Sequence, residues 1–134
     1  DDNAAVLYAL SVLAVGYYMD DSSEGYPHEK LAGSVAIKAS QLNPKNPGAF
    51  HYIIHSYDQP PMATQAVLAA ESYAESAPGV PHALHMPSHI FDDVGRWEEA
   101  VSSNRDSMNR AYFLQKEKLD GDWIHASLFI QYSL

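Results

Sequence analysis

Two sets of histidine and aspartate side chains carry the clearest chemistry in this sequence. The same residue types recur at the same spacing, thirty-four residues apart, as His51, His55 and Asp58 and then as His85, His89 and Asp92. Histidines four positions apart share one face of a helix, so both imidazoles can ligate a single divalent ion. An aspartate three positions further along supplies an oxygen ligand or hydrogen-bonds a ligating histidine. The pattern predicts a site for a divalent transition metal such as zinc, with the ligands His51, His55, His85 and His89.

Neighbouring polar residues widen the predicted site into a groove. His82 lies three residues before His85, on the same helical stripe, and His125 lies in a later predicted helix. Pro87 bends the helix between His85 and His89, which either separates this pair or turns both rings toward a ligand. The predicted binding groove is formed by His51, His55, Asp58, His82, His85, His89 and Asp92.

A hydrogen-bonded groove without a metal explains the same residues. A histidine on a half-buried helical face commonly pairs with a neighbouring side chain, and the His–Asp spacing suits pairs that join adjacent helices. A duplicated unit also copies its histidines whether or not they bind a ligand. In either case the imidazoles are mostly neutral at neutral pH and gain charge below about pH 6. The sequence therefore predicts acid-sensitive ligand binding or stability, and it leaves both interpretations open.

The elements that position these side chains are predicted to be helices. Asn46-Pro47 indicates a helix start, because a capping side chain is followed by proline at the first helical position. The apolar run over residues 4–18 predicts a mostly buried helix. A polar loop over residues 20–25 and a charged linker over residues 116–120 separate the periodic segments. About seven helices result, over residues 4–18, 27–42, 47–58, 63–76, 81–93, 97–113 and from 121 onward.

The thirty-four-residue period extends beyond the histidines. Ala32, Ala66 and Ala100 stand in register, and residues 94–100 read VGRWEEA. These features resemble the tetratricopeptide repeat (TPR) family, whose unit is a helix-turn-helix of that length. The resemblance implies an all-α fold, an α-solenoid of antiparallel helix hairpins that forms a single domain over residues 1–134. Its units cover about 2–44, 47–78 and 81–112, with a partial unit over 121–134.

The resemblance also implies a function. In the TPR family the first helix of each unit lines a concave face, which implies a binding or scaffold module. Its His/Asp-lined groove would take a partner protein, a peptide or a small-molecule ligand. The alternative is a metal-binding protein or metal-dependent enzyme that uses the duplicated sets, with an aspartate or a bound water as base. Asn104 and Ser107 depart from the family's pattern, which has apolar or small residues there, and the histidine-rich helices also resemble a group of bacterial repeat proteins of uncharacterised activity.

Composition excludes several other classes. A net charge of −9 opposes binding to the phosphates of nucleic acids, which requires clustered Lys and Arg. The chain has no cysteine, so it can form neither a disulfide framework nor a thiolate metal site. The apolar run over residues 4–19 is too short and too interrupted to span a bilayer. Because the sequence starts at Asp1 and stops at Leu134 within an apolar run, we expect a fragment of a longer protein.

Overall fold

Helices are the regular elements of this chain. The computed structural model describes residues 1–19, 25–115 and 120–134, and within these ranges no strand occurs. The elements in chain order are α1 (Asp2–Met19), α2 (Pro27–Leu42), α3 (Pro47–Tyr57), a 3₁₀ helix (Ala63–Ala66), α4 (Val67–Ser76), α5 (Pro81–His85), α6 (Pro87–Asp93), α7 (Trp97–Leu114) and α8 (Gly121–Ser133). The predicted all-α class is confirmed, and the described residues form the predicted seven α-helices when α5 and α6 count as one bent helix. Most of the predicted loop over residues 20–25 and of the linker over 116–120 lies outside the described residues.

Capping side chains begin two of the helices at the expected positions. Asn46 caps α3, because its Oδ1 accepts a hydrogen bond from the backbone N–H of Gly48 at 3.0 Å. Asp120 caps α8 in the same way, by accepting from the N–H of Trp123 at 2.9 Å. Pro47 occupies the first turn of α3, where its missing N–H removes no helical hydrogen bond. Both helices contribute histidines to the site described below, and these caps fix the residue at which each helix begins.

Pro87 divides the helix predicted over residues 81–93 into α5 and α6. Proline has no N–H to donate, so the helical hydrogen bond at this position is missing. Met86 joins the two helices, and the N–H of His89 donates to the carbonyl of Met86 at 3.3 Å in a tighter turn. The rings of His85 and His89 nevertheless remain adjacent, with their Nε2 atoms 3.0 Å apart. The bend therefore keeps this pair together.

α1 packs through one narrow face. Its buried residues are Val6, Ala9, Val12 and Gly16, whereas Leu7 is 63% exposed. The expectation of a mostly buried helix is wrong, because only every third or fourth side chain of α1 faces its neighbours α2 and α3. Although α1 is rich in apolar residues, none of the described helices combines the length and hydropathy that a membrane span needs.

Small residues let the helices approach each other closely. The three alanines in register, Ala32, Ala66 and Ala100, are all fully buried. On α2, Gly33 lies so close to the ring of Tyr57 that a Cβ at this position would overlap the ring. This contact holds α3 tightly against α2, and α3 carries the first two histidines of the site.

Candidate metal centre

Six of the seven histidines form one continuous patch. They come from α3, α5, α6 and α8 and are, in chain order, His51, His55, His82, His85, His89 and His125. Neighbouring rings lie close together, with centroids 4.6 Å apart for His51 and His55 and 6.1 Å apart for His82 and His85. The structure thus brings together the four histidines predicted to bind metal, with His82 and His125 beside them.

The patch divides into two triads. The first triad consists of His51, His55 and His82, and the second triad consists of His85, His89 and His125. In each triad one nitrogen of every ring lies within 4.8 Å of the others, which is close enough for the three rings to hold one metal ion. This grouping differs from the single four-histidine cluster expected from the sequence, because each pair takes its third member from another helix.

A shift of about one helical turn between the duplicated helices explains the grouping of the first triad. Equivalent positions in the two sets are thirty-four residues apart. The side chains that meet are 31 residues apart, since His51 contacts His82 and Asp58 contacts His89. Three residues correspond to about 4.5 Å along a helix axis, close to one turn. Residues of the first set therefore contact residues of the second set that lie about one turn before the equivalent positions. The spacing in the sequence alone does not indicate this offset.

Hydrogen bonds fix the protonated nitrogen of two rings in the second triad. The side-chain amide of Asn104 donates to the carbonyl of Ala100 at 3.0 Å, so its Oδ1 is the atom that faces His85. His85 Nδ1 therefore donates to that oxygen, at 2.6 Å. His89 Nδ1 donates to a carboxylate oxygen of Asp58 at 2.9 Å. With its hydrogen on Nδ1, each neutral ring has a bare lone pair on Nε2.

These two lone pairs face each other. The Nε2 atoms of His85 and His89 are 3.0 Å apart, and neither carries a hydrogen in the neutral pair. A cation between the nitrogens, either a proton or a metal ion, satisfies this contact. Burial lowers the pKa of His85 to about 4, so a proton in this contact would be carried by His89, as an imidazolium paired with Asp58. Tetrahedral ligation at about 2.0–2.1 Å places two nitrogens about 3.3–3.4 Å apart, close to the observed separation.

His51 has the central position in the first triad. Its Nε2 lies 3.0 Å from Nε2 of His55 and 3.1 Å from Nε2 of His82. A ring nitrogen holds either one hydrogen or one lone pair, so hydrogen bonding satisfies only one of these contacts. Desolvation by the surrounding atoms, followed by the neighbouring imidazoles, lowers the pKa of His51 to about 3, and desolvation also lowers the pKa values of His55 and His82. These shifts favour the neutral imidazoles that metal ligation requires.

Aromatic side chains hold several of these rings in place. The ring of His51 stacks on Tyr52 and Tyr73, with centroids 5.0 and 5.5 Å away. In the second triad Phe129 packs against the rings of His85 and His89, at 4.6 and 4.7 Å. An apolar wall of this kind limits the access of water to metal ligands and lowers the local dielectric constant.

Two cavities lined by described residues border the patch, and Asp58 lines both. One cavity, of about 530 Å³, has side chains of α1 and α3 in its wall, including His51 and His55. The other, of about 420 Å³, lies between α6 and α8 and includes His89. Each triad therefore has space beside it for a small molecule or a peptide side chain.

Asp92 of the predicted groove pairs with a serine rather than a histidine. Its Oδ1 accepts a hydrogen bond from Ser133 Oγ at 2.7 Å, which ties α6 to α8. Asp92 is 8% exposed, and this burial raises its pKa. It lines the cavity of about 420 Å³ but belongs to neither triad. The two aspartates of the repeat thus differ, since Asp58 supports a histidine and Asp92 forms part of a wall.

Polar residues of α7 position the second triad, and the histidine pattern did not identify them. Asn104 is fully buried and bonds the ring of His85. Ser107 donates to the carbonyl of Pro81 at 2.8 Å and so fixes the start of α5. Both residues are the departures from the TPR pattern noted in the sequence. That departure is the signal by which the sequence could have marked them as functional.

Comparisons with known proteins identify no family for this chain. No family model matches this chain, and no curated protein is significantly similar to it. The resemblance to the TPR family therefore remains a proposal.

Proposed function

We propose that this chain is a helical metal-binding protein whose second triad, His85, His89 and His125, holds a divalent transition metal ion. The observation that carries the proposal is the 3.0 Å approach of two Nε2 lone pairs whose rings already use their Nδ1 hydrogens elsewhere. A metal ion satisfies both nitrogens at once, and burial keeps the ring of His85 in the neutral form that ligation requires. His125 supplies a third nitrogen from α8.

Asp58 and Asn104 support ligation by His89 and His85. A metal-ligating histidine usually donates its other N–H to a carboxylate or carbonyl oxygen, which fixes the tautomer and makes the ligating nitrogen more basic. These two hydrogen bonds measure 2.9 and 2.6 Å, and they orient the two rings for ligation.

The donor set favours a transition metal with affinity for nitrogen. Imidazole suits zinc, copper, nickel and iron, whereas calcium and magnesium prefer oxygen ligands. Sites with three protein ligands leave a coordination position for water or substrate, as in catalytic zinc sites. A metal in such a site lowers the pKa of its bound water and polarises a carbonyl oxygen. The second triad is therefore suited to hydrolytic chemistry, for which the adjoining cavity offers space.

The scaffold function expected from the sequence is a second candidate, and it is compatible with metal binding. Its support is the packing of helices consecutive in the chain, α1 with α2, α2 with α3 and α7 with α8, which a TPR-like stack of hairpins requires. The cavities beside His51 and His89 are places for a peptide or a small-molecule ligand. A ligand that coordinates the ion through an oxygen atom would join the two functions in one site.

Metal stoichiometry tests the proposal. The full chain is freed of metal with a chelator, mixed with zinc, desalted and analysed by inductively coupled plasma mass spectrometry. We expect the double variant His85→Ala/His89→Ala to retain one zinc ion fewer than the wild type. His28→Ala is the matched control, since His28 lies on α2 and outside both triads. Equal zinc content in the wild type and the double variant would overturn the proposal.

A further inference from the structure

We propose that the first triad, His51, His55 and His82, is a separate site for a second divalent transition metal ion. It goes beyond the site proposed above, because none of its ligands is shared with the second triad. Three Nε2 atoms converge from α3 and α5, and the central one, on His51, contacts both others within 3.1 Å. The predicted pair on α3 thus gains its third ligand from the next histidine-bearing helix.

An ion that bonds several nitrogens at once would satisfy all the contacts among these rings. A hydrogen bond satisfies one of the two contacts made by His51, whereas an ion bonded to all three rings satisfies both. Within the described ranges no hydrogen bond engages Nδ1 of these three rings. Each ring can therefore carry its hydrogen on Nδ1 and direct a lone pair from Nε2 toward the ion. The stacking of His51 on Tyr52 and Tyr73 already holds the central ring.

The same contacts predict that the first triad binds metal more weakly than the second. The second triad has Asp58 and Asn104 as acceptors for the Nδ1 hydrogens of two ligands. The first triad has no such acceptors among the described residues, and losing them typically lowers metal affinity by about 10–100-fold. His55 is also exposed, and His51 and His55 line the cavity of about 530 Å³. The ion in the first triad should therefore dissociate before the ion in the second triad.

The two sites lie next to each other. The ring centroids of His55 and His89 are 6.5 Å apart, and those of His82 and His85 are 6.1 Å apart. Two paramagnetic ions held in neighbouring triads would interact magnetically. Copper(II) can therefore report whether both triads are filled in one molecule.

The experiment compares the full wild-type chain with two double variants, His55→Ala/His82→Ala and His85→Ala/His89→Ala. Each protein is titrated with zinc for stoichiometry and loaded with copper(II) for electron paramagnetic resonance, and circular dichroism verifies its helical content. We expect two ions in the wild type, one in each double variant, and dipolar broadening of the copper signal in the wild type alone. A competing chelator should remove the two zinc ions of the wild type in succession. The ion removed first should be the one that His55→Ala/His82→Ala lacks.

The outcomes separate this inference from the proposed function. One ion that is lost only from His85→Ala/His89→Ala would overturn the second site and leave the proposed function in place. One ion that is lost only from His55→Ala/His82→Ala would support the first triad and overturn the proposed function. One ion that is lost from both double variants would indicate a single shared site and overturn the inference. If the first double variant fails to fold, the exposed His55→Gln substitution gives the same comparison.

Discussion

Replacing Asn104 with leucine tests whether the hydrogen bond to His85 prepares the second triad for metal. Asn104 is fully buried, and its Oδ1 accepts from His85 Nδ1 at 2.6 Å. Leucine has the same branched arrangement of heavy atoms but leaves that buried N–H without an acceptor, which costs about 1–3 kcal/mol of unfolding free energy. For a chain of 134 residues this corresponds to a melting temperature about 4–11 °C lower in the metal-free protein.

The effect on metal affinity is the more specific part of this prediction. Removing the acceptor from a ligating histidine typically lowers metal affinity by about 10–100-fold, or about 1.4–2.8 kcal/mol of binding free energy. Competition with a chromophoric chelator measures the zinc affinity, and thermal unfolding without metal measures the stability. In Asn104→Leu we expect both quantities to fall, because the same hydrogen bond stabilises the fold and orients the ligand.

Ser107→Ala is the matched control for Asn104→Leu. Ser107 lies on the same buried face of α7, but its hydroxyl bonds the carbonyl of Pro81 rather than a histidine. Its loss should lower the unfolding free energy by about 0.5–1.5 kcal/mol and reduce zinc affinity less than Asn104→Leu does, because Ser107 bonds the backbone of α5 and not a ligating ring. If Asn104→Leu bound zinc as tightly as the wild type, the role assigned to the hydrogen bond on His85 would be refuted.

Lowering the pH below about 6.5 should destabilise the metal-free protein. The pKa values of His51 and His85 in the folded chain, about 3 and about 4, lie below the value of about 6.5 in the unfolded chain. Between these folded values and about pH 6.5 the unfolded chain therefore binds more protons, and the free energy of unfolding rises with pH. Equal urea midpoints at about pH 7.5 and about pH 5 would contradict this sign. Two-bond ¹H–¹⁵N spectra of the metal-free protein should show the hydrogen on Nδ1 in both His85 and His89, and an Nε2–H signal from either ring would exclude the facing lone pairs. Gly33→Ala should lower the unfolding free energy by about 1–3 kcal/mol, because the added methyl group overlaps the ring of Tyr57. If the variant had the thermal stability of the wild type, α2 and α3 would be able to move apart without a cost in free energy.

The helices were predictable because their signals are local. Asn46 and Pro47 start α3 through hydrogen bonds and backbone angles within three residues of each other. Pro87 interrupts its helix by an effect on the adjacent turn. The exposure of α1 was not predictable in the same way, because it depends on which neighbours pack against an apolar sequence.

The residue types of the candidate site were also visible in the sequence, but their grouping was not. His51 meets His82 because α3 and α5 are displaced by about one turn, and that displacement depends on packing between distant residues. His125 joins His85 through α8, forty residues further along the chain. Asn104 belongs to α7, which carries no histidine. These relations are tertiary, and a repeat period contains no information about them.

Each triad draws its third histidine from a helix that does not carry the closely spaced pair. His82 of α5 completes the pair on α3, and His125 of α8 completes the pair formed by His85 and His89. An ion in either triad would therefore act as a removable cross-link between segments that are otherwise joined by loops and side-chain packing. Chelation would loosen these junctions while each helix keeps its own backbone hydrogen bonds, so the stiffness of the protein would vary with its metal supply.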